Sequence, residues 1–309
     1  MEQSGIWVES AARSFGEVHA VRDASFSVAP GQVVGLIGPN GAGKSTMLLM
    51  LATLLAPDRG RMSVAGFDPV THPREARARL GWMPDVLGSW ASLTPRQALV
   101  TSARMYGISH TKAAERAEEL LNTVDLLPLA NSASRVLSRG QKQRLSLARA
   151  LVHDPEVLLL DEPASGLDPG ARIALRDLVR RLAAAGKSIL ISSHVLSELE
   201  EMADSAVYMT HGVTATAEAV AAAVRSERGF RIKSLDPAAL LRALDELGRT
   251  VTEVNGAQGS VVTLESDQAA AALLADLIRR DVPVVSFTPA MGTFEHAFQD
   301  LSRGEGGQQ

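Results

Sequence analysis

Short apolar runs, spaced along the first two-thirds of the chain, give this sequence its main pattern. Three runs are nearly continuous, at Val33–Ile37, Val157–Leu160 and Ser188–Ser192, which is typical of strands in a parallel sheet covered on both faces. Two earlier segments alternate apolar and polar residues, as half-buried strands do. These are Gly5–Glu9 and Ala24–Val28, and further strands are predicted at Arg61–Ala65, Arg79–Met83 and Ser205–Thr210. With helices between them, these strands predict an α/β fold.

Residues 85–151 interrupt this strand pattern and are mostly helical. The segment Pro95–Tyr106 predicts a helix that Thr94 caps and Pro95 begins. Between Thr111 and Val124 the apolar residues recur at helical spacing, and a run of charged residues occupies the solvent face. We therefore expect a helical subdomain inserted between two halves of the α/β core.

After Gly212 the sequence changes to an Ala-rich helix and then to two strand–helix–strand units. The predicted elements of these units are Phe230–Ser234, Pro237–Leu247, Thr250–Val254, Ser260–Leu264, Asp267–Arg280 and Val282–Ser286. This order predicts a small ferredoxin-like α+β domain. The expected division is a large domain over residues 1–215 and an accessory domain over residues 216–309, with a loose tail from Gly304.

Composition narrows the function classes. The chain has 309 residues, of which 46% are hydrophobic, so a packed core is expected. Its net charge of −4 argues against a nucleic-acid partner, because binding to the phosphate backbone needs clustered Lys and Arg. The lack of cysteine excludes disulfides and thiol catalysis. We find neither a signal peptide nor an apolar stretch of about 18 residues. We therefore expect a soluble cytoplasmic protein without direct membrane insertion.

The segment Gly38–Thr46 carries the strongest chemical signal, because it matches Gly-x-x-x-x-Gly-Lys-Ser, the phosphate-binding loop of P-loop nucleotidases. A strand precedes it and a helix-forming run follows, so backbone N–H groups can surround a polyphosphate at the helix N-terminus. Lys44 is predicted to bind the β/γ-phosphate oxygens, and Ser45 to give its hydroxyl to Mg²⁺. The alternative is a glycine-rich turn that caps an ordinary helix. The predicted ATP cradle is Gly38, Pro39, Asn40, Gly41, Ala42, Gly43, Lys44, Ser45 and Thr46.

Two adjacent acids, Asp161 and Glu162, follow the buried strand Val157–Leu160. Parallel sheets bind ligands at the carboxyl ends of their strands, which is also where the phosphate loop lies. Asp161 suits coordination of Mg²⁺, and Glu162 suits activation of a water that attacks the γ-phosphate. The alternative is that the two acids merely begin a loop.

Two more side chains are candidates for the same site. His194 follows the next buried strand, where it can contact the γ-phosphate or the attacking water. The alternative is a structural histidine. Phe15 is expected in the connection between the first two strands, where its ring can stack on a purine or simply pack against the core.

Two further stretches resemble motifs of the ABC (ATP-binding cassette) ATPases. The segment Leu137–Leu145 (Leu-Ser-Arg-Gly-Gln-Lys-Gln-Arg-Leu) resembles the family signature, and Ser165–Asp168 (Ser-Gly-Leu-Asp) resembles its D-loop. The resemblance covers roughly residues 4–215 and implies an α/β P-loop NTPase fold of the RecA type, with an antiparallel β edge and a helical subdomain. Residues 216–309 resemble, more weakly, the accessory region of drug, antibiotic and polysaccharide exporters.

The resemblance also implies roles for individual residues. Phe15 would stack on adenine, Glu162 would be the general base, and His194 would sense the γ-phosphate. Catalysis would thus rest on Glu162, His194 and Lys44, and Mg²⁺ would bind Ser45, Asp85 and Asp161. Residues of the signature and D-loop would contact nucleotide held by a second copy of the chain, in a two-fold homodimer that closes on ATP. These are Ser138, Gly140, Gln141 and Asp168.

Two positions depart from the family pattern. Arg139 stands where the signature has Gly, and we expect little effect from it. Asp85 stands where the family has a Gln that contacts Mg²⁺ and moves with the membrane partner. Our hypothesis is that Asp85 keeps the metal role.

The sequence therefore predicts an ATP-hydrolysing subunit that powers a separate integral membrane permease, in an exporter by resemblance. Two copies would act with two such partners, or with one doubled partner, at the inner face of the cell membrane. Docking is predicted at Gly88–Thr94 together with the start of the next helix, with Trp90 either an anchor or a core residue. The alternative is a soluble cassette that acts on a macromolecular assembly, although no second ATP site or long coiled-coil insertion is found. A binding regulator without catalysis is disfavoured because Glu162 is intact.

Overall fold

The computed structural model describes residues 5–85, 92–255 and 259–305. The chain divides into two compact units, residues 1–215 and residues 216–309. Trp90 and most of the predicted docking segment lie outside the described residues, as do the last four residues of the tail.

Within the described residues, the first unit contains a nine-stranded sheet. Its strands are β1 (Ile6–Phe15), β2 (Val18–Val28), β3 (Val33–Ile37), β4 (Arg59–Val64), β5 (Leu80–Met83), β6 (Val157–Asp161), β7 (Ser188–Ser192), β8 (Ser205–Thr210) and β9 (Val213–Thr214). The spatial order is β4-β1-β2-β9-β8-β3-β7-β6-β5. Strands β8, β3, β7, β6 and β5 pair in parallel, whereas β4, β1 and β2 form an antiparallel edge. The predicted P-loop fold is confirmed, because strand ends from distant parts of the chain meet at one edge of the parallel sheet.

The central strands follow the apolar runs of the sequence. All five residues of β3 and all five of β7 are buried, as are the first four of β6. Such strands lie in the middle of a sheet because helices cover both of its faces. Leu36, Leu159 and Leu190 belong to buried packing of this kind, and they fix the strands whose ends carry the candidate site.

The helices of the first unit are α1 (Lys44–Leu51), α2 (Pro73–Arg79), α3 (Pro95–Met105), α4 (His110–Thr123), α5 (Arg139–Ala150), α6 (Pro169–Ala184) and α7 (Leu196–Met202). Helices α3, α4 and α5 occupy the segment that the sequence predicted to be helical. Thr94 caps α3 as predicted: its hydroxyl accepts the N–H of Gln97, whose side chain accepts the N–H of Thr94. Pro95 is the first residue of this helix, where its missing N–H removes no helical hydrogen bond.

The structure differs from the sequence prediction in several details. Phe15 is the last residue of β1 rather than part of a longer connection, because β1 and β2 form a hairpin with register to Val18. Helix α1 ends at Leu51 instead of Leu55, and α2 and the short strand β9 were not predicted. Strand β9 is only two residues long. It follows a tight turn after β8 and pairs with both β8 and β2.

In the second unit, the described residues form a four-stranded antiparallel sheet in the order β11-β12-β10-β13. Its strands are β10 (Arg228–Ser234), β11 (Val251–Asn255), β12 (Gly259–Leu264) and β13 (Val284–Pro289). Its helices are α8 (Ala217–Arg225), α9 (Pro237–Glu246), α10 (Asp267–Arg279) and α11 (Thr293–Glu305). The order β10-α9-β11-β12-α10-β13 with this pairing is the ferredoxin-like arrangement. Helix α11 corrects the sequence prediction, since it continues to Glu305, beyond the point where a loose tail was expected.

None of the described helices combines the length and the apolar character that crossing a bilayer requires.

Candidate active site

The loop between β3 and α1 leaves no space for side chains at two of its glycines. A Cβ at Gly38 would lie 2.1 Å from the carbonyl oxygen of Met209, and a Cβ at Gly43 would lie 2.3 Å from that of Ala20. Gly43 also has a φ of 102°, a left-handed conformation that glycine adopts without strain. The backbone therefore folds tightly against β2 and β8 before α1 begins.

Lys44 is the first residue of α1, and its side chain turns back into this loop. Only 9% of the residue is exposed. Its Nζ donates to the carbonyl oxygens of Gly38 at 2.6 Å and Pro39 at 3.1 Å. Burial lowers the pKa of Lys44, and the negative charges of Glu162 and Asp161 oppose this shift. The loop thus holds a desolvated cation that faces two carboxylates.

Asp161 is the last residue of β6 and lies opposite Ser192, the last residue of the neighbouring β7. The Ser192 hydroxyl donates to Oδ1 of Asp161. Burial raises the pKa of Asp161, the Ser192 hydrogen bond lowers it, and the negative charge of Asp85 raises it. Asp85, which is exposed, therefore lies close enough to Asp161 to repel it.

The backbone of Glu162 is held from two sides. Its N–H donates to the backbone oxygen of Ser192 at 3.1 Å and to the Ser192 hydroxyl at 3.2 Å. Its carbonyl accepts a hydrogen bond of 2.8 Å from Nε2 of the buried Gln143, on α5. The φ of Glu162 is 51°, a left-handed conformation that costs on the order of 1 kcal/mol for a residue other than glycine. These hydrogen bonds stabilise that conformation and aim the carboxylate.

The carboxylate of Glu162 contacts His194, which follows β7. Nδ1 of His194 lies 2.8 Å from Oε2 of Glu162. The side chain of Glu162 is 16% exposed and that of His194 is 62% exposed. A nearly buried acid therefore meets an imidazole that remains open to solvent.

The segment that resembles the signature forms the N-terminus of α5. Ser138 caps this helix: its hydroxyl accepts the N–H of Gln141 at 3.2 Å, while Gln141 Oε1 accepts the N–H of Ser138 at 2.9 Å. The N–H groups of Arg139 and Gly140 precede the helical hydrogen-bond ladder and point out of this end. Among the described residues, no hydrogen bond joins this helix end to the loop around Lys44.

Two other predicted residues have partners of their own. Asp168 caps α6, because its Oδ1 accepts the N–H of Ala171 at 3.0 Å, and this hydrogen bond lowers the pKa of Asp168. Phe15 is 46% exposed at the end of β1, with the guanidinium of Arg13 5.0 Å from its ring centroid. Its ring is therefore accessible at the surface rather than part of the core.

Sequence reasoning did not single out Ser192 or Gln143 as functional. The in-register pairing of β6 with β7 places Ser192 opposite Asp161, and aligning the ends of the two predicted strands could have indicated this contact. Gln143 gave no such signal, because it meets Glu162 only through the packing of α5 against the core.

Comparison with known proteins agrees with this geometry. The sequence profile of the family described as ABC transporter matches residues 21–165. The Nod factor export ATP-binding protein I of Paraburkholderia xenovorans (strain LB400) is 38% identical over 261 residues, with 83% of this chain and 85% of that protein covered. The chain belongs to the ABC transporter family. This cassette therefore binds ATP and hydrolyses it, as the ATP-binding subunit of a transporter.

Other relatives of this ABC cassette give the same result. The daunorubicin/doxorubicin resistance ATP-binding protein DrrA of Streptomyces peucetius is 33% identical over 301 residues, with 93% of this chain and 89% of that protein covered. A structure described as the ATP-binding subunit of an ABC transporter superposes with a TM-score of 0.65 at 30% identity, covering 70% of this chain and 92% of that one. A dimeric cassette with bound ADP and Pi, 23% identical, shares the fold with a TM-score of 0.63 over 68% of this chain and 97% of that one. These relatives favour a transporter subunit over a cassette that acts on a macromolecular assembly.

Proposed function

We propose that this cassette is the ATP-hydrolysing subunit of an exporter, in which two copies close on ATP and drive a separate membrane permease. One observation carries the catalytic part of the proposal. Glu162 and His194 form a contact of 2.8 Å at the ends of two adjacent parallel strands, and the charge of Glu162 acts on the buried Lys44 of the phosphate loop. A general base, a polar partner and a phosphate-binding cation are thus grouped at one edge of the sheet.

ATP would bind the loop of residues 38–46. The backbone N–H groups and the α1 N-terminus favour an anion there, and the Nζ of Lys44 would exchange the carbonyl oxygens of Gly38 and Pro39 for phosphate oxygens. The exposed ring of Phe15 would stack on the adenine. The nucleotide-binding residues of this half-site are therefore Phe15 and the cradle named above.

The chemistry of the donors fits Mg²⁺. Mg²⁺ prefers oxygen ligands, usually one or two carboxylates together with substrate phosphates and water. The hydroxyl of Ser45 and the carboxylates of Asp161 and Asp85 offer that set, with Ser192 orienting Asp161. Among the described residues, no group of three or more His, Cys, Asp or Glu side chains could by itself hold a metal ion. When bound, Mg²⁺ would neutralise charge on the phosphates.

Glu162 would accept a proton from the water that attacks the γ-phosphate. His194 holds the carboxylate through Nδ1 and keeps its other ring nitrogen for the γ-phosphate or the water. Because Ser192 and Gln143 fix the Glu162 backbone, the carboxylate does not have to be reoriented before each turnover.

The helix end formed by Ser138, Gly140 and Gln141 supports dimerisation. It presents N–H donors at an exposed position, and its hydrogen bonds do not reach the phosphate loop of its own chain within the described residues. A γ-phosphate held by a second copy would supply the missing acceptor, and each copy would do the same for the other. Asp168 would lie at this interface, next to the same helix end.

Export is proposed from the relatives, whose names include Nod factor export and drug resistance. The permease would be an integral membrane protein that holds the cassette at the inner face of the cell membrane. The sequence-predicted docking segment contains Trp90, so Trp90→Ala should weaken co-purification with the permease.

The decisive test uses the purified chain. Wild type should hydrolyse ATP, whereas Glu162→Gln should bind ATP, lose at least about 100-fold in phosphate release, and accumulate a dimer in light scattering. Glu265→Gln, an exposed acid in the second unit, is the matched control and should behave as wild type. Wild-type phosphate release by Glu162→Gln would refute the base assignment, and a monomer with bound ATP would refute the dimer.

A further inference from the structure

The segment Ser165–Asp168, called here the D-loop, connects the end of β6 with α6. Gly166 in its middle has a φ of 75°, so the chain reverses sharply there. The loop is short and has few backbone hydrogen bonds of its own: Ser165 N–H to Glu162 O at 3.1 Å and Leu167 N–H to Ala164 O at 3.2 Å. Its position therefore depends on the side chains that contact it.

Arg139, the first residue of α5, contacts the D-loop from the signature side. Its Nη2 donates to the hydroxyl of Ser165 at 2.9 Å. The stem of the same side chain lies over Gly166, where a Cβ would approach Arg139 Cδ to 2.9 Å and Nε to 3.0 Å. The shape of the loop and the arginine are thus matched, because any larger residue at position 166 would displace the side chain.

Arg172 contacts the D-loop from the other side. Its Nε donates to the carbonyl oxygen of Leu167 at 3.2 Å. Its Nη1 lies 3.5 Å from Oε1 of Glu198, whose side chain is only 13% exposed. Glu198 lies in the first turn of α7, the helix that begins two residues after His194. One guanidinium therefore joins the D-loop to the helix that follows the catalytic histidine.

We propose that Arg139 and Arg172 are positioning residues that hold the D-loop between the signature helix and α7. Through these two arginines and the D-loop, binding of the partner's nucleotide at the signature helix affects the position of His194 in the same chain. His194 in turn acts on the nucleotide that is bound in the phosphate loop of that chain. This inference rests on the proposed two-site dimer. It also assigns a role to Arg139, which occupies a position where the family pattern has Gly and where we expected little effect.

The first test concerns Arg139, through Arg139→Ala, Ser165→Ala and the double variant. Each single variant should lower kcat for ATP about three- to tenfold, the size expected for the loss of one ordinary hydrogen bond, and leave KM nearly unchanged. The double variant should be no slower than the slower single variant, because both remove the same contact. Arg139→Lys should recover part of kcat, since Lys can still donate to Ser165. The exposed Arg135, four residues earlier, gives the matched control Arg135→Ala.

The second test concerns Arg172. Arg172→Gln and Glu198→Gln should lower kcat, whereas Arg176→Gln should not. Arg176 is the equivalent residue one turn later on α6, and it lies 3.6 Å from Glu201. The thermal unfolding temperature should fall by similar amounts in Arg172→Gln and Arg176→Gln. A difference in kcat between the two variants then reports positioning of the D-loop rather than a loss of packing.

Two results would overturn the inference while leaving the proposed function intact. One is equal kcat for Arg139→Ala and Arg135→Ala, together with ATP-dependent dimerisation of wild type. The other is additive losses from Arg139→Ala and Ser165→Ala, which would mean that the two side chains act separately. By contrast, a wild-type chain that neither hydrolyses ATP nor dimerises would refute the proposed function itself.

Discussion

Nδ1 of His194 lies 2.8 Å from Oε2 of Glu162, so two residues that follow the ends of adjacent parallel strands are in direct contact. An ionised carboxylate can only accept, so the ring nitrogen that faces it carries the proton. Nε2 is then the nitrogen left for the γ-phosphate or for water. The contact therefore sets both the direction of the base and the orientation of the imidazole.

We predict that His194→Ala lowers single-turnover phosphate release about 100-fold while ATP still binds. The carboxylate of Glu162 would lose its partner and adopt other rotamers. His194→Ala combined with Glu162→Gln should be no slower than Glu162→Gln alone, because the two residues act as a unit. His110→Ala, which removes an exposed histidine at the start of α4, serves as the control. A His194→Ala enzyme with the control's rate would contradict a catalytic contact.

The sequence predicted the strand ends that build this site, because short apolar runs such as Val157–Leu160 are typical of central strands. It could not predict how Glu162 is held. A left-handed φ at a glutamate has no signature in the sequence, and the hydrogen bond from Gln143 depends on how α5 packs against β6. The strand positions therefore follow from local pattern, whereas the aim of the base follows from tertiary contacts.

The same contrast holds at the edges of the fold. Helix α2 was not predicted because its seven residues, Pro73–Arg79, bury only Ala76 and show no apolar stripe. Arg139 was expected to have little effect for a related reason. A motif comparison marks a substituted position, but only the structure shows that its guanidinium reaches Ser165.

Asp85 provides a prediction about the metal. Its charge raises the pKa of Asp161, so the two carboxylates are near each other. Asp85→Ala should therefore raise the Mg²⁺ concentration for half-maximal hydrolysis by roughly tenfold. For Asp85→Gln, which introduces the family's residue, this concentration should lie between those of wild type and Asp85→Ala. Asp245→Ala removes the same charge from an exposed position in α9 and should change nothing. Unaltered Mg²⁺ dependence in Asp85→Ala would remove Asp85 from the metal site.

We predict that His153 makes the free energy of unfolding dependent on pH. Its ring stacks on Tyr106 with centroids 3.7 Å apart, and its Nε2 lies 3.1 Å from the carbonyl oxygen of Leu80. In the described part of the chain its buried Nδ1 has no hydrogen-bond partner. Burial lowers the pKa of His153 from 6.5 to about 4. Between these values the unfolded chain takes up a proton that the folded chain does not, so the free energy of unfolding falls as the pH falls.

His153→Gln should make this fall smaller, by about 2–3 kcal/mol between pH 7 and pH 4, since one pKa unit corresponds to about 1.4 kcal/mol. Urea unfolding at several pH values measures the free energy of unfolding. The dependence of this free energy on pH reports proton uptake, whereas a loss of stacking lowers it equally at every pH. His110→Gln, at an exposed position, should keep the wild-type slope. Parallel curves for wild type and His153→Gln would show that His153 titrates normally in the folded chain.

The two capping boxes of the helical subdomain allow structure to be separated from function. Ser138 with Gln141 and Thr94 with Gln97 make the same pair of hydrogen bonds, at the N-termini of α5 and α3. Ser138→Ala and Thr94→Ala should each lower the free energy of unfolding by about 1 kcal/mol.

Asp is also a good cap, so Ser138→Asp and Thr94→Asp should both retain stability. Only Ser138→Asp would place a negative charge where the partner's γ-phosphate is expected. In a Glu162→Gln background, Ser138→Asp should therefore abolish the ATP-dependent dimer while Thr94→Asp leaves it intact, and equal dimerisation of the two would mean that the α5 N-terminus does not face nucleotide.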